Sequence, residues 1–238
     1  MSREAAERFL RGLADKPDKE IPIGEAALAL AELDCPDLDP KPYRDHLAAL
    51  AAETAAAAGS DPDLTARIAA LNRTIVGGHG YKGDAETYDD LANANLIRVI
   101  ERKRGLPVAL GILYLHIAQT QGWPIVGLNF PGHFVVGMLR EGRRAIIDPF
   151  NGGRVLDDAA IRVLFRQIAG ADAAVRPEYL APIGNRDVLV RLQNNLRSRH
   201  EQAGRVTAAI KVIESMLWFA PDRADLAQER VRLRTRLN

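Results

Sequence analysis

Apolar positions recur every three to four residues through the first third of the chain, which predicts an alanine-rich helical region. Pro17 and Pro22 separate an opening helix from a second one over residues 23–33. A third helix is expected to start at Asp39-Pro40. Ser60-Asp61-Pro62 predicts the cap and first turn of a fourth helix.

The longest apolar stretch runs over residues 106–118 and is hydrophobic nearly all round, so it predicts a buried central helix. Pro107 suits its first turn, where the missing N–H would have no partner anyway. After Gly122 the pattern changes to short β-branched segments, which predict strands over residues 125–130, 134–139 and 145–147. A buried helix packed on a short antiparallel sheet is an α+β core.

Helical spacing returns at Asp157, and prolines predict a linker over residues 176–185. Two apolar stripes separated by Gly204 then form a helix pair of about 34 residues, the size of a tetratricopeptide repeat. One repeat cannot bury its own apolar face, so this tail is expected to pack on the core. The predicted organisation is a helical region over 1–76, a core over 77–176 and a helical tail over 186–238.

The composition, 47% hydrophobic and 26% charged over 238 residues, is typical of a soluble globular protein. A single cysteine, Cys35, excludes an internal disulfide framework. The first residues are charged and lack the apolar core of a signal peptide, and no apolar run approaches the roughly 18 residues that span a bilayer. We therefore expect a cytoplasmic protein without a membrane partner.

Charge is unevenly distributed, since residues 186–238 hold 11 Lys/Arg against 6 Asp/Glu. A basic end can bind nucleic acid, but these arginines alternate with core-type residues and form no long run. We interpret them as a solvated helical face and expect no nucleic-acid partner.

The glycine-rich segment over residues 77–83 matches G-x-G-x-x-G through Gly78, Gly80 and Gly83. That pattern binds a pyrophosphate only after a strand and before a helix. Here it follows a helix and precedes an acidic run, so a helix-terminating loop is predicted, followed by a short helix over residues 91–100. No cofactor is expected, and the spacing of the histidines predicts no metal site.

Candidate chemistry lies in Asn129-Phe130-Pro-Gly-His133-Phe134 and in Asp148-Pro-Phe150-Asn-Gly-Gly153. A histidine and an aspartate at the edges of adjacent predicted strands are two members of a possible hydrolytic triad. Such a pair is a general-base candidate. It can equally be a structural contact, so both interpretations stay open.

These motifs, together with Tyr88, Asn93, Arg104-Gly-Leu-Pro107 and the segment around Cys35, resemble the SirB1 family. That resemblance spans roughly residues 23–225 and implies a transglutaminase-like core with a tetratricopeptide-like tail. It also implies a pocket formed by His133 and Asp148 with Tyr88, Asn93, Pro107, Phe130, Phe134 and Phe150. Ala94 departs from the family, which usually has serine there.

In transglutaminase-like and papain-like enzymes, a cysteine at the start of the central helix is deprotonated by the histidine. The resemblance places that cysteine at or near Pro107, and no Cys, Ser or Thr occurs between Gly105 and Leu115. Cys35 lies in the N-terminal region, in no arrangement that implies a lowered pKa.

The leading expectation is therefore a non-catalytic transglutaminase-like protein. It would act as a protein- or peptide-binding or regulatory module, and the C-terminal helices would recruit an unknown partner. The main alternative is a hydrolase or amide-processing enzyme that uses His133 and Asp148 as a general base on water. A nucleic-acid-linked regulator is a third possibility.

Overall fold

A computed structural model describes residues 3–237 and is α+β, as predicted. The first two residues of the predicted N-terminal region and the last residue of the predicted tail lie outside the described residues. The α-helices are α1 (Arg3–Arg11), α2 (Ile23–Asp34), α3 (Lys41–Ala58), α4 (Leu64–Asn72), α5 (Leu96–Arg102), α6 (Pro107–Thr120), α7 (Asp158–Ala169), α8 (Asn185–Gln202), α9 (Val206–Phe219) and α10 (Ala224–Arg234). The strands are β1 (Lys82–Gly83), β2 (Arg104–Gly105), β3 (Ile125–Leu128), β4 (Val136–Arg140), β5 (Arg143–Asp148), β6 (Arg154–Leu156) and β7 (Pro182–Ile183).

Five strands form one antiparallel sheet in the order β6-β5-β4-β3-β7. The β4–β5 hairpin turns through Glu141 and Gly142, which both have positive φ (51° and 74°). Two-residue turns of that kind match the right-handed twist of paired strands. The strands β1 and β2 form a separate parallel ladder of two residues each.

Helix α6 is the centre of the fold, because nearly all its residues are buried and its surroundings include helices from both ends of the chain. Leu10 of α1, Leu28 of α2, Ile112 of α6, Leu192 of α8 and Ile213 of α9 all belong to one hydrophobic cluster. Helices α8 and α9 therefore pack on the rest of the protein. The domain boundaries and the tetratricopeptide-like character of the tail stay predictions. Among residues 3–237, no helix is both long and apolar enough to cross a membrane.

Three predicted details are wrong. The cap of α4 is Asp63, whose side chain accepts a hydrogen bond from Ala66 N–H at 2.8 Å, and not Ser60-Asp61-Pro62. The helix predicted over residues 91–100 is split, because Asn95 adopts extended backbone and caps α5 through its side chain.

The segment predicted as a linker contains a strand. Pro182 and Ile183 pair with Leu128 and Gly127 of β3. Proline is tolerated there because β7 is an edge strand, so no ladder donor is lost on its outer side.

Candidate functional site

Helix α6 begins at the wall of a small cleft. Leu106 precedes it in extended backbone (φ −69°, ψ 160°) without a side-chain cap, and Pro107 occupies the first turn. The N–H of Leu106 donates to the carbonyl of Asn93 at 2.9 Å. Because the fixed φ of proline suits this position, the helix start is defined without a capping side chain.

His133 lies in the loop between β3 and β4, and the following residue anchors that loop. Phe134 is buried against two glycines. A Cβ added to Gly111 of α6 would lie 2.3 Å from its ring, and one added to Gly127 of β3 would lie 3.0 Å away. The glycines thus leave a slot between helix and sheet that the Phe134 ring fills, which fixes the neighbouring His133.

His133 and Asp148 are in direct contact. Their Nε2 and Oδ1 atoms are 2.8 Å apart, and their side chains are 9% and 0% exposed. Asp148 ends β5 and also accepts hydrogen bonds from the side chain and backbone of Asn151 at 2.7 and 3.3 Å. Burial opposes ionisation of Asp148, but the hydrogen bonds from His133 and Asn151 outweigh it, so the pKa of Asp148 is lowered. This contact leaves Nδ1 of His133 without a partner in the described chain.

The turn after Asp148 is tied to two helices. Gly153 N–H donates to the carbonyl of Asp148 at 2.9 Å, and Asn72 of α4 donates to the carbonyl of Gly153 at 2.8 Å. Tyr114 of α6 in turn donates to the Oδ1 atom of Asn72 at 2.8 Å. This chain of hydrogen bonds holds the aspartate in place relative to the central helix.

The cleft has a volume of about 130 Å³. Its walls are the start of α6 (Leu106, Pro107, Val108), the loop Gly132, His133 and Phe134, the side chain of Tyr88, and Arg191 and Asn195 of α8. Pro107 and His133 therefore face one space, as the resemblance implied. None of the lining residues is Cys, Ser or Thr. The only hydroxyl is the phenol of Tyr88, whose pKa is raised by burial.

Helix α8 completes the cleft with residues that sequence reasoning missed. Arg191 donates to the carbonyls of Phe130 and His133, and Arg199 donates to the carbonyl of Tyr88 at 2.9 Å. Asn195 lies between them and accepts from Arg199 at 3.1 Å. The four-residue spacing of these three polar side chains was a detectable signal, because it places them on one face of a helix that is otherwise apolar on that side.

The remaining predicted pocket residues lie outside the lining of the cleft. Phe150 packs edge-on against the rings of His133 and Tyr88, with centroids 5.8 and 5.9 Å apart. Asn93 is fully buried behind the cleft, where its side chain donates to Thr87 at 2.6 Å. Phe130 packs against Phe165 of α7 in a second hydrophobic cluster.

Other candidate groups lie elsewhere. Cys35 is buried at the end of α2, and burial raises the pKa of its thiol. In the glycine-rich segment, Gly83 of β1 serves packing, since a Cβ there would lie 2.6 Å from the ring of Phe150. Within residues 3–237, no group of three or more His, Cys, Asp or Glu side chains is arranged to hold a metal ion.

Comparison with known proteins identifies relatives over most of the chain. A sequence model of the transglutaminase-like superfamily matches residues 41–194. A UPF0162 protein of Xylella fastidiosa is 32% identical over 222 residues, which cover 92% of this chain and 79% of that protein. A UPF0162 protein of Vibrio cholerae is 30% identical over 88% of this chain and 78% of its own length. Protein SirB1 of Salmonella typhimurium is 26% identical over 90% of this chain and 79% of its own length. No solved structure matches the chain.

Proposed function

We propose a function on one premise: this chain belongs to the transglutaminase-like superfamily and to the SirB1 and UPF0162 group. In the proposal it is a non-catalytic member that acts as a peptide- or protein-binding module, with the His133 cleft as its ligand site. The observation that carries the proposal is Pro107, which stands at the start of α6 and shares the cleft with His133.

The chemistry of acyl transfer explains why proline matters. A covalent route needs a nucleophile within hydrogen-bond reach of its base, at about 2.6–3.2 Å. Proline offers no atom that can attack a carbonyl, and Cys35 lies outside the lining of the cleft. The histidine–aspartate pair therefore stands next to a space in which a ligand can be held without transferring an acyl group to a side chain at residue 107.

A hydrolase that uses His133 on water is the competing function, and the intact pair with a free Nδ1 favours it. Wild type and His133→Ala are incubated with a panel of amide and ester substrates, and products are followed by mass spectrometry. We expect peptides to be recovered intact from both proteins. Turnover by wild type that His133→Ala loses would overturn the proposal.

A second experiment tests the equivalence of Pro107 and a nucleophile position. In a Cys35→Ala background, Pro107→Cys is reacted with iodoacetamide between pH 6 and 9, and the same variant unfolded in urea provides an ordinary thiol. A helix N-terminus and a neighbouring histidine lower thiol pKa values. If the pKa falls from about 8.5 to about 6.5, the thiolate fraction at pH 6 rises from about 0.3% to about 24%.

Nucleophilicity falls as the pKa falls, with a Brønsted coefficient of about 0.45, so the folded variant should react about tenfold faster at pH 6 and about sixfold slower at pH 9. Adding His133→Ala should remove most of the gain at pH 6. Equal pH profiles for the folded and unfolded variants would mean that the cleft does not activate a thiol at residue 107, and the argument from Pro107 would fail.

A nucleic-acid ligand is not part of the proposal. Five arginines in the C-terminal helices form ion pairs of 2.6–2.8 Å with carboxylates of the same protein: Arg197, Arg223, Arg232, Arg234 and Arg236. Paired guanidinium groups are less available for phosphates. Salt-dependent DNA binding would contradict this assignment.

The proposed function also includes a cytoplasmic location, which cell fractionation tests.

A further inference from the structure

Arg191 is a partly buried cation that forms no ion pair with any carboxylate of the described residues. Its Nη2 atom donates to the carbonyls of Phe130 and His133, and its guanidinium carbon lies 5.5 Å from the centroid of the Phe134 ring. Within residues 3–237 it forms no ion pair, and its Nε and Nη1 atoms have no acceptor. Burial lowers the pKa of Arg191, because desolvation opposes its charge. An anion in the cleft would relieve that cost.

The start of α6 supplies further donors on the facing wall. The N–H groups of Val108 and Ala109 have no acceptor in the described chain, and no side chain caps the helix. Of these two residues, Val108 lines the cleft and Ala109 is buried next to it. The amide dipoles of a helix of 14 residues favour negative charge at this end.

His133 and Asn195 add two polar side chains to the same space. The His133 side chain is only 9% exposed and lines the cleft, and its Nδ1 atom lacks a partner in the part of the chain that the structure describes. Asn195 faces the cleft from α8. No carboxylate lines the cleft, because Asp148 is fully buried behind His133. Arg191 therefore makes the lining cationic, and the N–H group of Val108 adds a donor.

We infer that the cleft is a carboxylate-binding site in which Arg191 and the start of α6 hold the carboxylate of a ligand between them. This inference rests on the proposed function, since it names the group by which a peptide ligand would be recognised. The volume of about 130 Å³ corresponds to a few water molecules, which suits a carboxylate on a small residue. The source of the carboxylate is either the C-terminus of a peptide or a free short-chain acid.

Protein NMR on the full chain tests the inference with four probes at constant ionic strength. The probes are N-acetyl-trialanine with a free carboxylate, the same peptide with a C-terminal amide, sodium acetate and inorganic phosphate. The readouts are the amide resonances of Val108 and Ala109 and the side-chain Nε resonance of Arg191. We expect saturable shifts with acetate and with the acid peptide, and binding of the amide peptide at least about tenfold weaker.

The affinities distinguish the sources of the carboxylate. An acid peptide that binds more than about tenfold tighter than acetate identifies a peptide C-terminus, whereas similar affinities identify a free short-chain acid. Phosphate binding tighter than acetate would overturn the assignment to a carboxylate. An absence of shifts with both acetate and the acid peptide would also overturn it.

Variants of α8 give matched controls. Arg191→Gln should abolish the shifts, whereas Arg197→Gln makes the same charge change on the same helix at a position outside the lining of the cleft and should preserve them. Arg191 also donates to the carbonyls of Phe130 and His133, so its replacement can change the loop as well as the charge of the cleft. Asn195→Asp is therefore the second variant. It keeps Arg191 but adds a negative charge to the lining, and it should weaken acetate binding at least about tenfold. Unchanged binding in both Arg191→Gln and Asn195→Asp would refute the inference.

The two proposals can fail separately. Equal binding of acid and amide peptides at the cleft would leave the peptide-binding function standing and remove the carboxylate inference. Turnover in the substrate panel would remove the non-catalytic function, whatever the carboxylate titration gives.

Discussion

Two adjacent glycines after Asp148 allow a stringent test of how the cleft is supported. Gly152 and Gly153 both have positive φ, 71° and 70°. A Cβ on Gly152 would meet nothing within 4 Å. A Cβ on Gly153 would lie 2.0 Å from Oδ1 of Asn72 and 2.2 Å from the hydroxyl of Tyr114. Alanine at either position therefore imposes the same backbone cost, and only Gly153→Ala adds a steric one.

The magnitudes follow from those contacts. A left-handed conformation costs an L-residue about 1–2 kcal/mol. Reduced entropy of the unfolded chain offsets about 0.4–1 kcal/mol of that, so the net cost of Gly152→Ala should be at most about 1.6 kcal/mol. Gly153→Ala must also separate Asn72 from Tyr114, which are joined by a hydrogen bond of 2.8 Å. A buried donor without a partner costs about 1–3 kcal/mol and overpacking a similar amount, so this variant should cost about 3–5 kcal/mol.

Urea unfolding followed by circular dichroism measures both free energies of unfolding. Tyr114→Phe removes the hydroxyl, and in the double variant with Gly153→Ala the two costs should be less than additive. If the two Gly→Ala variants differ by less than about 0.5 kcal/mol, the turn is not held against α4 and α6 in the way described.

Two further predictions concern single carboxylates. Asp148→Asn should destabilise the protein at pH 7 by about 1–3 kcal/mol, because a buried charged acceptor is replaced. Since the pKa of Asp148 is lowered from 3.8 on folding, its ionised form stabilises the fold above that pH and loses this effect as the pH falls through the folded-state pKa. The difference in free energy of unfolding between wild type and Asp148→Asn, measured in urea, should thus become smaller below about pH 4. A difference that does not change with pH would contradict the assignment. Asp63→Ala should cost about 1 kcal/mol through loss of the α4 cap, whereas Ser60→Ala should cost almost nothing. If Asp63→Ala and Ser60→Ala lowered the thermal stability equally, Asp63 would not be the cap that distinguishes the two positions.

Local pattern was sufficient where neighbouring residues decide the structure. The start of α6 follows from Pro107 and the apolar run behind it, and strands β3, β4 and β5 follow from short β-branched segments. The sequence pattern gave wrong predictions where a partner distant in sequence determines the local structure. Pro182 and Ile183 form a strand only because β3 offers an unpaired edge. The predicted helix over residues 91–100 is interrupted at Asn95, whose side chain caps α5. The spacing of apolar residues does not predict such an interruption.

The candidate site divides in the same way. The resemblance of the two motifs placed His133 and Asp148 together, and they lie 2.8 Å apart. Their role in binding or catalysis stays a prediction. Arg191, which gives the cleft its positive charge, and Asn195 were assigned to a tail and not to the site.

By itself, the sequence determined the α+β class and the buried central helix, because these depend on residue identities and on periodicities within one segment. The pairing of His133 with Asp148 and the place of Pro107 at the expected nucleophile position came from the family resemblance. Only the tertiary structure decided that α8 forms a wall of the cleft and that Arg191 has no counter-charge among residues 3–237. Residues 88, 107, 133 and 191 meet because one hydrophobic cluster joins the two ends of the chain around α6. Contacts between segments so far apart depend on the packing of the whole fold, which no local pattern encodes.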